Sequence, residues 1–189
     1  MTLEGEIVSL RLLTEDDAAQ TLAWRTGARA RFLNQGAQTV EQQAAWIAKS
    51  AAAGDQNFMI VYDGRPVGMI SLYEINRTHR SLIMGRLLIG EPEAVGKAPV
   101  VFEAERLVMD YAFEELGMHS IYGDVMGANT GVINLRKYLR WHKDGVIPEH
   151  FFVDGAYQDA VLFSMRKDDY YRLCRKILMR TVAFGKEGN

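Results

Sequence analysis

Residues 89–113 read IGEPEAVGKAPVVFEAERLVMDYAF, a glycine-bearing loop that runs directly into a long helical pattern. Val100, Ala104, Leu107, Val108 and Tyr111 recur at the spacing that lines apolar groups along one helix face, and Gly117 stands where a helix stops. Pro99 suits the first turn, where a missing N–H costs no hydrogen bond. Two readings of Gly96-Lys97-Ala98-Pro99 remain open at this level. It is either a plain helix start, or a group of unsatisfied N–H donors at the positive end of a helix, where small residues let an anion approach.

Working outward toward the N-terminus, residues 57–62 and 66–75 are strand-like and flank Asp63-Gly64, a dipeptide that favours a tight hairpin turn. A third strand, 81–89, follows Asn76 to Arg80 after too few residues for a crossover, which predicts an antiparallel meander. Further upstream, 6–14 alternates as a strand, and Thr14 with Asp17 caps a helix over 15–25. Thr39 with Gln42 opens a second helix over 40–53 that ends at Gly54, and 26–38 between the two helices is expected to be irregular. Toward the C-terminus come a strand (119–127), a helix (130–139), a hairpin (150–165) turning at Asp154-Gly155, a terminal helix (168–182) and a frayed tail from Phe184. The long helix therefore joins two neighbouring parallel strands, giving an α+β mixed sheet flanked by helices. Residues 1–167 are read as one domain and 168–189 as a C-terminal helix with its tail.

The formal net charge of −2 argues against nucleic acid or a membrane surface as a bulk partner, so an anion site must be local. A single cysteine, Cys174, leaves no intrachain disulfide or cysteine-rich zinc site; its helical neighbours mark it as a small apolar residue. His119, His142 and His150 lack metal-ligand spacing, and no metal is expected. With no basic-then-apolar leader and no membrane-length apolar run, the expectation is a cytoplasmic chain. Trp24 and Trp46 are read as core residues.

With the element order in place, EAVGKA (93–98) resembles the coenzyme loop of the GCN5-related N-acetyltransferase (GNAT) family, Gln or Arg, two residues, Gly, one residue, Gly or Ala. Gly96 and Ala98 match, whereas Glu93 holds the first place and is expected to point to solvent. A second block, DVMGANTGVINLRKYLRWHKDG (124–145), resembles the branch containing ribosomal-protein and nucleotide-amino-sugar acetyltransferases. Asn129 follows the strand, Trp141 stands for a Phe, and Asp144-Gly145 closes the block. Arg136 replaces the family's Tyr and Arg140 a Gly. The resemblance covers roughly residues 5 to 165.

The resemblance implies an acetyl-CoA-dependent N-acetyltransferase without a metal, acting by direct transfer to a primary amine. Coenzyme contacts would come from Leu87, Leu88, Ile89, Val95, Gly96, Lys97, Ala98, Asn129 and Arg136. Arginine stays charged, so Arg136 would stabilise a thiolate or bind a phosphate rather than donate a proton. Asp124 is the candidate for taking the amine proton, with a half-exposed sheet residue paired to a cation as the plain alternative. Ser71 sits at a position similar to a serine of the nucleotide-sugar members, or is merely a satisfied strand hydroxyl. Asn76, Arg77, His79 and Arg80 would grip the diphosphate of a nucleotide-linked amino sugar used in surface-glycan synthesis, unless they form an ordinary solvated turn. The alternatives are a protein N-terminal acetyltransferase of ribosomal type and a non-catalytic coenzyme-A-binding regulatory module. No nucleic acid and no membrane insertion are expected. The terminal helix, with Arg172, Arg175, Lys176 and Arg180 opposite its apolar stripe, would cover the sheet or a second subunit of a homodimer.

Overall fold

The computed structural model describes residues 1–33 and 36–187; residues 34–35 of the irregular segment and the last two residues of the tail lie outside the described residues. The chain runs β1 (Thr2–Glu4), β2 (Val8–Leu12), α1 (Ala18–Arg25), α2 (Val40–Ala52), β3 (Gln56–Tyr62), β4 (Arg65–Asn76), β5 (Ser81–Ile89), α3 (Pro92–Val95) and α4 (Val100–Glu114). It continues through β6 (Ser120–Met126), α5 (Thr130–Tyr138), β7 (His142–Val153), β8 (Ala156–Arg166), α6 (Lys167–Asp169), a π-helical turn (Tyr170–Cys174) and α7 (Arg175–Glu187). One eight-stranded sheet runs β1-β2-β3-β4-β5-β6-β8-β7. The meander is antiparallel, and β5 pairs parallel to β6 across the α4 crossover.

Local chemistry explains these boundaries. The Asp17 carboxylate accepts the Thr14 N–H at 2.8 Å and is gripped by both Arg11 terminal nitrogens at 2.7 Å, fixing the 3-10 turn that leads into α1. Thr39 accepts the Gln42 N–H at the start of α2. Both hairpin turns take positive φ at their central residues, 49° and 69° at Asp63-Gly64 and 52° and 78° at Asp154-Gly155.

Strands β3 and β4 are apolar almost throughout because both faces are covered. Phe58, Ile60, Ile70 and Leu72 face α4 and the C-terminal helix, while Met59 and Met69 pack under α1 and α2 with Trp24 and Ile47. Tyr170, Cys174 and Leu178 join the core on the α4 side, where burial pushes the Cys174 thiol up and keeps it protonated. Trp46 is only partly buried against the α1–α2 core.

The sequence expectations need amending at several places, among them the short helix α3 in what reads as a plain loop. The short edge strand β1 was not foreseen, β7 begins at His142 rather than near His150, and the tail expected to fray from Phe184 is helical through Glu187. Glu103 is a further surprise, since it lies on a helix yet is fully buried. Its carboxylate accepts the N–H groups of Glu6, Ile7 and Val8 at 2.8, 2.6 and 2.8 Å, pinning the β1–β2 connection to α4. A Cβ on Gly5 would lie 2.6 Å from the Glu103 carboxyl carbon, so that connection passes the helix where only glycine fits.

Candidate active site

The parallel pair β5–β6 is short. Ser81–Ile83 pair with Ser120–Tyr122, and beyond that the strands diverge. Opposite β4, the register jumps from Ser71↔Gly85 to Met69↔Leu88, which leaves Arg86 and Leu87 facing Ile70 alone. Arg86 has φ 55°, the left-handed region, as expected of a residue forced out of the ladder at a bulge. A cleft of about 180 Å³ opens between the diverging ends, floored by Gly85 and Leu87 on one strand and Gly123 and Asp124 on the other.

Tyr73 of β4 reaches the apex of this opening. A Cβ on Gly85 would stand 2.9 Å from the Tyr73 hydroxyl, so glycine is what lets the phenol in. Burial first, and the Asp124 charge second, push the Tyr73 phenol up to about 12, and it remains protonated at working pH. The Arg86 guanidinium lies 4.0 Å from the Tyr73 ring centre and 5.3 Å from that of Trp46. Arg86 Nη1 donates to Asp55 at 3.1 Å and to Asn57 at 3.0 Å. Arg25, from the last turn of α1, also lines the cleft and lies 5.3 Å from the Trp46 ring.

On the far wall, Asn129 caps α5 by accepting the Val132 N–H at 3.3 Å. About two turns further along α5, Arg136 donates to both Glu105 oxygens at 2.7 and 2.8 Å and stacks 4.4 Å from the Trp141 ring. Glu105 is fully buried, and burial outweighs the arginine in holding its carboxyl above the usual range. Arg136 thus faces the cleft with a matched countercharge behind it.

The loop before α4 is more self-contained than its sequence implied. Gly96 (φ 55°) bonds its N–H to Pro92 O at 2.9 Å, Ala98 N–H goes to Val95 O at 3.0 Å, and Val100 N–H to Ala98 O at 2.8 Å. The amides left to meet an anion are those of Lys97 and of Val101 and Phe102 in the first turn of α4. Lys97 and Glu93 are exposed, and Val95 packs against the core. Gly185 of α7 lies against the Pro99 ring, where a Cβ would come within 2.5 Å, so the C-terminal helix abuts the base of this loop.

Asp124, Leu87, Asn129 and Arg136 therefore share one cleft. Leu88 instead packs in the α1–α2 core, and Ile89 against the core on the α4 side. Ser71 does not reach the cleft; it is fully buried and donates to Asn57 Oδ1 at 2.7 Å, the satisfied strand hydroxyl of the plain reading. Asn76, Arg77, His79 and Arg80 form an exposed turn at the paired end of β5, away from the splay. There Arg80 O accepts the His119 and Ser120 N–H groups and Asn76 Oδ1 accepts the His79 N–H, so the turn ties strands together. The residues that sequence reasoning missed are Tyr73, Arg86 and Arg25. The available signal was Arg86 itself, a cation interrupting the apolar strand SLIMGRLLI. Among the described residues no group of three His, Cys, Asp or Glu side chains is placed to hold a metal, and no helix is long and apolar enough to cross a membrane.

Solved structures share this architecture. A GCN5-related N-acetyltransferase from Brucella melitensis superimposes with a TM-score of 0.78 at 19% identity, covering 98% of this chain and 85% of that one. A spermidine N-acetyltransferase variant from Vibrio cholerae gives 0.77 at 21% identity, covering 88% and 98%. In sequence, the chain is 29% identical over 116 residues to the spermidine N(1)-acetyltransferase of Escherichia coli K12, a match spanning 61% of this chain and 61% of that enzyme. It is 31% identical over 94 residues to the Vibrio cholerae spermidine N(1)-acetyltransferase, spanning 50% of this chain and 53% of that enzyme. These relatives do not single out the ribosomal-protein or nucleotide-sugar branch. Residues 8–139 match the family model described as the acetyltransferase (GNAT) domain, and with the splayed β5–β6 pair on the same stretch, the chain belongs to the GNAT acetyltransferase family.

Proposed function

We propose that the protein transfers the acetyl group of acetyl-CoA directly to a primary amine of a small acceptor. The observation that carries this reading is the cleft between β5 and β6, where the Asp124 carboxylate and the protonated Tyr73 phenol face two strand edges that have lost each other as partners. Such edges present N–H and C=O groups to an extended pantetheine arm, and Lys97 with the first-turn amides of α4 would meet the pyrophosphate. When bound, acetyl-CoA supplies an acyl group already activated as a thioester.

The chain's own residues then divide the work. Asp124 takes the proton of the acceptor ammonium, since only the neutral amine can attack. The register shift at Arg86 and Leu87 interrupts the regular β4–β5 ladder beside the cleft, and β5 amides there would be the donors for the oxygen on which charge develops. Tyr73 donates a hydrogen bond into the cleft at any working pH. Arg136 is a positioning residue that holds α5 to α4 through Glu105. A thiol with a pKa near ~8.5 can depart as the thiolate, so no side chain need replace the family's tyrosine as an acid. The diphosphate grip proposed for Asn76 to Arg80 has no place in this arrangement, and the acceptor is better sought in the cleft wall.

Acetyl-CoA at a hundredfold excess over its Kd should add about 2.7 kcal/mol to stability and raise the melting temperature by roughly 5–11 °C. No shift overturns the reading. A shift without thiol release in the presence of any amine favours the non-catalytic coenzyme-binding module instead.

A further inference from the structure

We infer that the groove between the end of α5 and α7 seats the nucleotide half of coenzyme A, with its adenine on Phe184 and its ribose 3′-phosphate among Lys137, Arg140 and Arg180. This inference rests on the acetyl-CoA reading above and makes the terminal helix part of donor recognition.

One stripe of α7 forms a wall of the groove. Ile177, Arg180, Thr181 and Phe184 recur at the three- and four-residue spacing that puts side chains on one helix face, and Lys137, Tyr138 and Arg140 lie across from them. Together they enclose about 500 Å³. Contacts join this groove to the start of α4, where the amides of Lys97, Val101 and Phe102 are left to meet an anion. A Cβ on Gly185 would stand 2.5 Å from Pro99, the Phe102 and Tyr138 rings meet edge-on at 6.1 Å, and the Tyr138 hydroxyl lies 3.2 Å from Thr181 Oγ1. A donor whose pyrophosphate rests on those amides has this groove as the adjoining surface.

Charge and exposure define the ligand. No carboxylate lines the groove, and none of Lys137, Arg140 and Arg180 forms an ion pair among the described residues. Arg140 also borders a neighbouring hollow with Asp144 and Asp169, but both carboxylates are engaged. Asp144 is bonded to His142 at 2.8 Å and to Ser164 at 3.0 Å, and Asp169 bridges Arg166 and Arg172 at 2.8 and 2.6 Å. Phe184 and Tyr138 are 65% and 53% exposed, so two rings stand at the rim of a cationic groove. Such a surface stacks a purine and holds a phosphate through charge-assisted bonds. A second subunit docked here about a twofold axis would instead gather six cations at one interface. The backbone of Arg140 supports the assignment. Its φ of 64° is a conformation that glycine adopts without strain, yet the position carries a guanidinium to the groove.

The test is titration calorimetry with coenzyme A and its 3′-dephospho form, which needs no turnover. Coenzyme A should bind about tenfold or more tightly at low salt, and the gap should narrow as ionic strength rises. The double variant Lys137→Gln with Arg180→Gln, at two exposed positions, should bring the two ligands within about threefold of each other. Phe184→Ala should weaken both ligands about tenfold and leave their ratio as in wild type. Equal binding of the two ligands by the wild-type chain, a preference that survives in the double variant, or unchanged affinities in Phe184→Ala overturns the inference while acetyl transfer stands. Absence of coenzyme A binding overturns both.

Discussion

Replacing Arg136 by methionine would strand Glu105. The carboxylate is fully buried and Arg136 is 4% exposed, with N–O separations of 2.7 and 2.8 Å, so water can supply little compensation. Removing one partner of such a pair costs about 3–5 kcal/mol, which for a chain of this size lowers the melting temperature by roughly 6–20 °C. The loss must depend on pH. Burial already holds the Glu105 carboxyl above its unfolded-state value, and without Arg136 it rises further. A raised carboxyl binds its proton more tightly in the folded state, so its stabilisation is full below the unfolded pKa and disappears as pH climbs through the folded one. The deficit of Arg136→Met relative to wild type should therefore be largest near about pH 8 and shrink toward about pH 5, as read by calorimetry at constant ionic strength. The double variant Arg136→Met with Glu105→Leu should recover most of the loss, because an apolar pair of similar volume needs no countercharge. A melting temperature within about 2 °C of wild type at the higher pH, or an equal loss at both, would refute the buried pair as described.

Three further outcomes follow from named contacts. Glu103→Gln weakens the charge-assisted bonds from Glu6, Ile7 and Val8 and should cost about 2–4 kcal/mol, seen as a lower urea midpoint with little change in slope. Gly85→Ala puts a Cβ 2.9 Å from the Tyr73 hydroxyl and should depress kcat/KM far more than the melting temperature; equal activity would mean the phenol has no part in the cleft. Asp124→Asn should slow turnover by about 100-fold or more near neutrality, and the deficit should narrow as pH approaches the acceptor amine's own pKa. A deficit that stays constant with pH removes Asp124 from proton transfer.

The element order was legible because its signals are local. Asp63-Gly64 and Asp154-Gly155 set turns, and the spacing of Val100, Ala104, Leu107 and Val108 set the crossover helix, without reference to distant chain. Strand β1 escaped notice because three residues carry no usable period, and the start of β7 because an exposed edge strand need not alternate. Asp124 and Arg136 could be placed because each lies on an element whose register was clear. Ser71 kept two readings in the sequence since β4 is apolar on both faces, which hides the alternation that turns it toward Asn57. The cationic turn at Asn76 to Arg80 looked like an anion site, but it lies where β5 begins, and the splay opens at the opposite end. Tyr73, Arg25 and Arg86 converge through a bulge and the close passage of separate elements, neither of which has a sequence period.

Direct transfer in the β5–β6 cleft is tested most directly by following thiol release and acetyl mass together, on protein and on amine, after mixing with acetyl-CoA. Expected is thiol release that requires an amine, with one acetylated amine formed per thiol and no acetyl group left on the chain. Release without an amine, acetyl retained on the protein, or bound acetyl-CoA that no primary amine can discharge would contradict it.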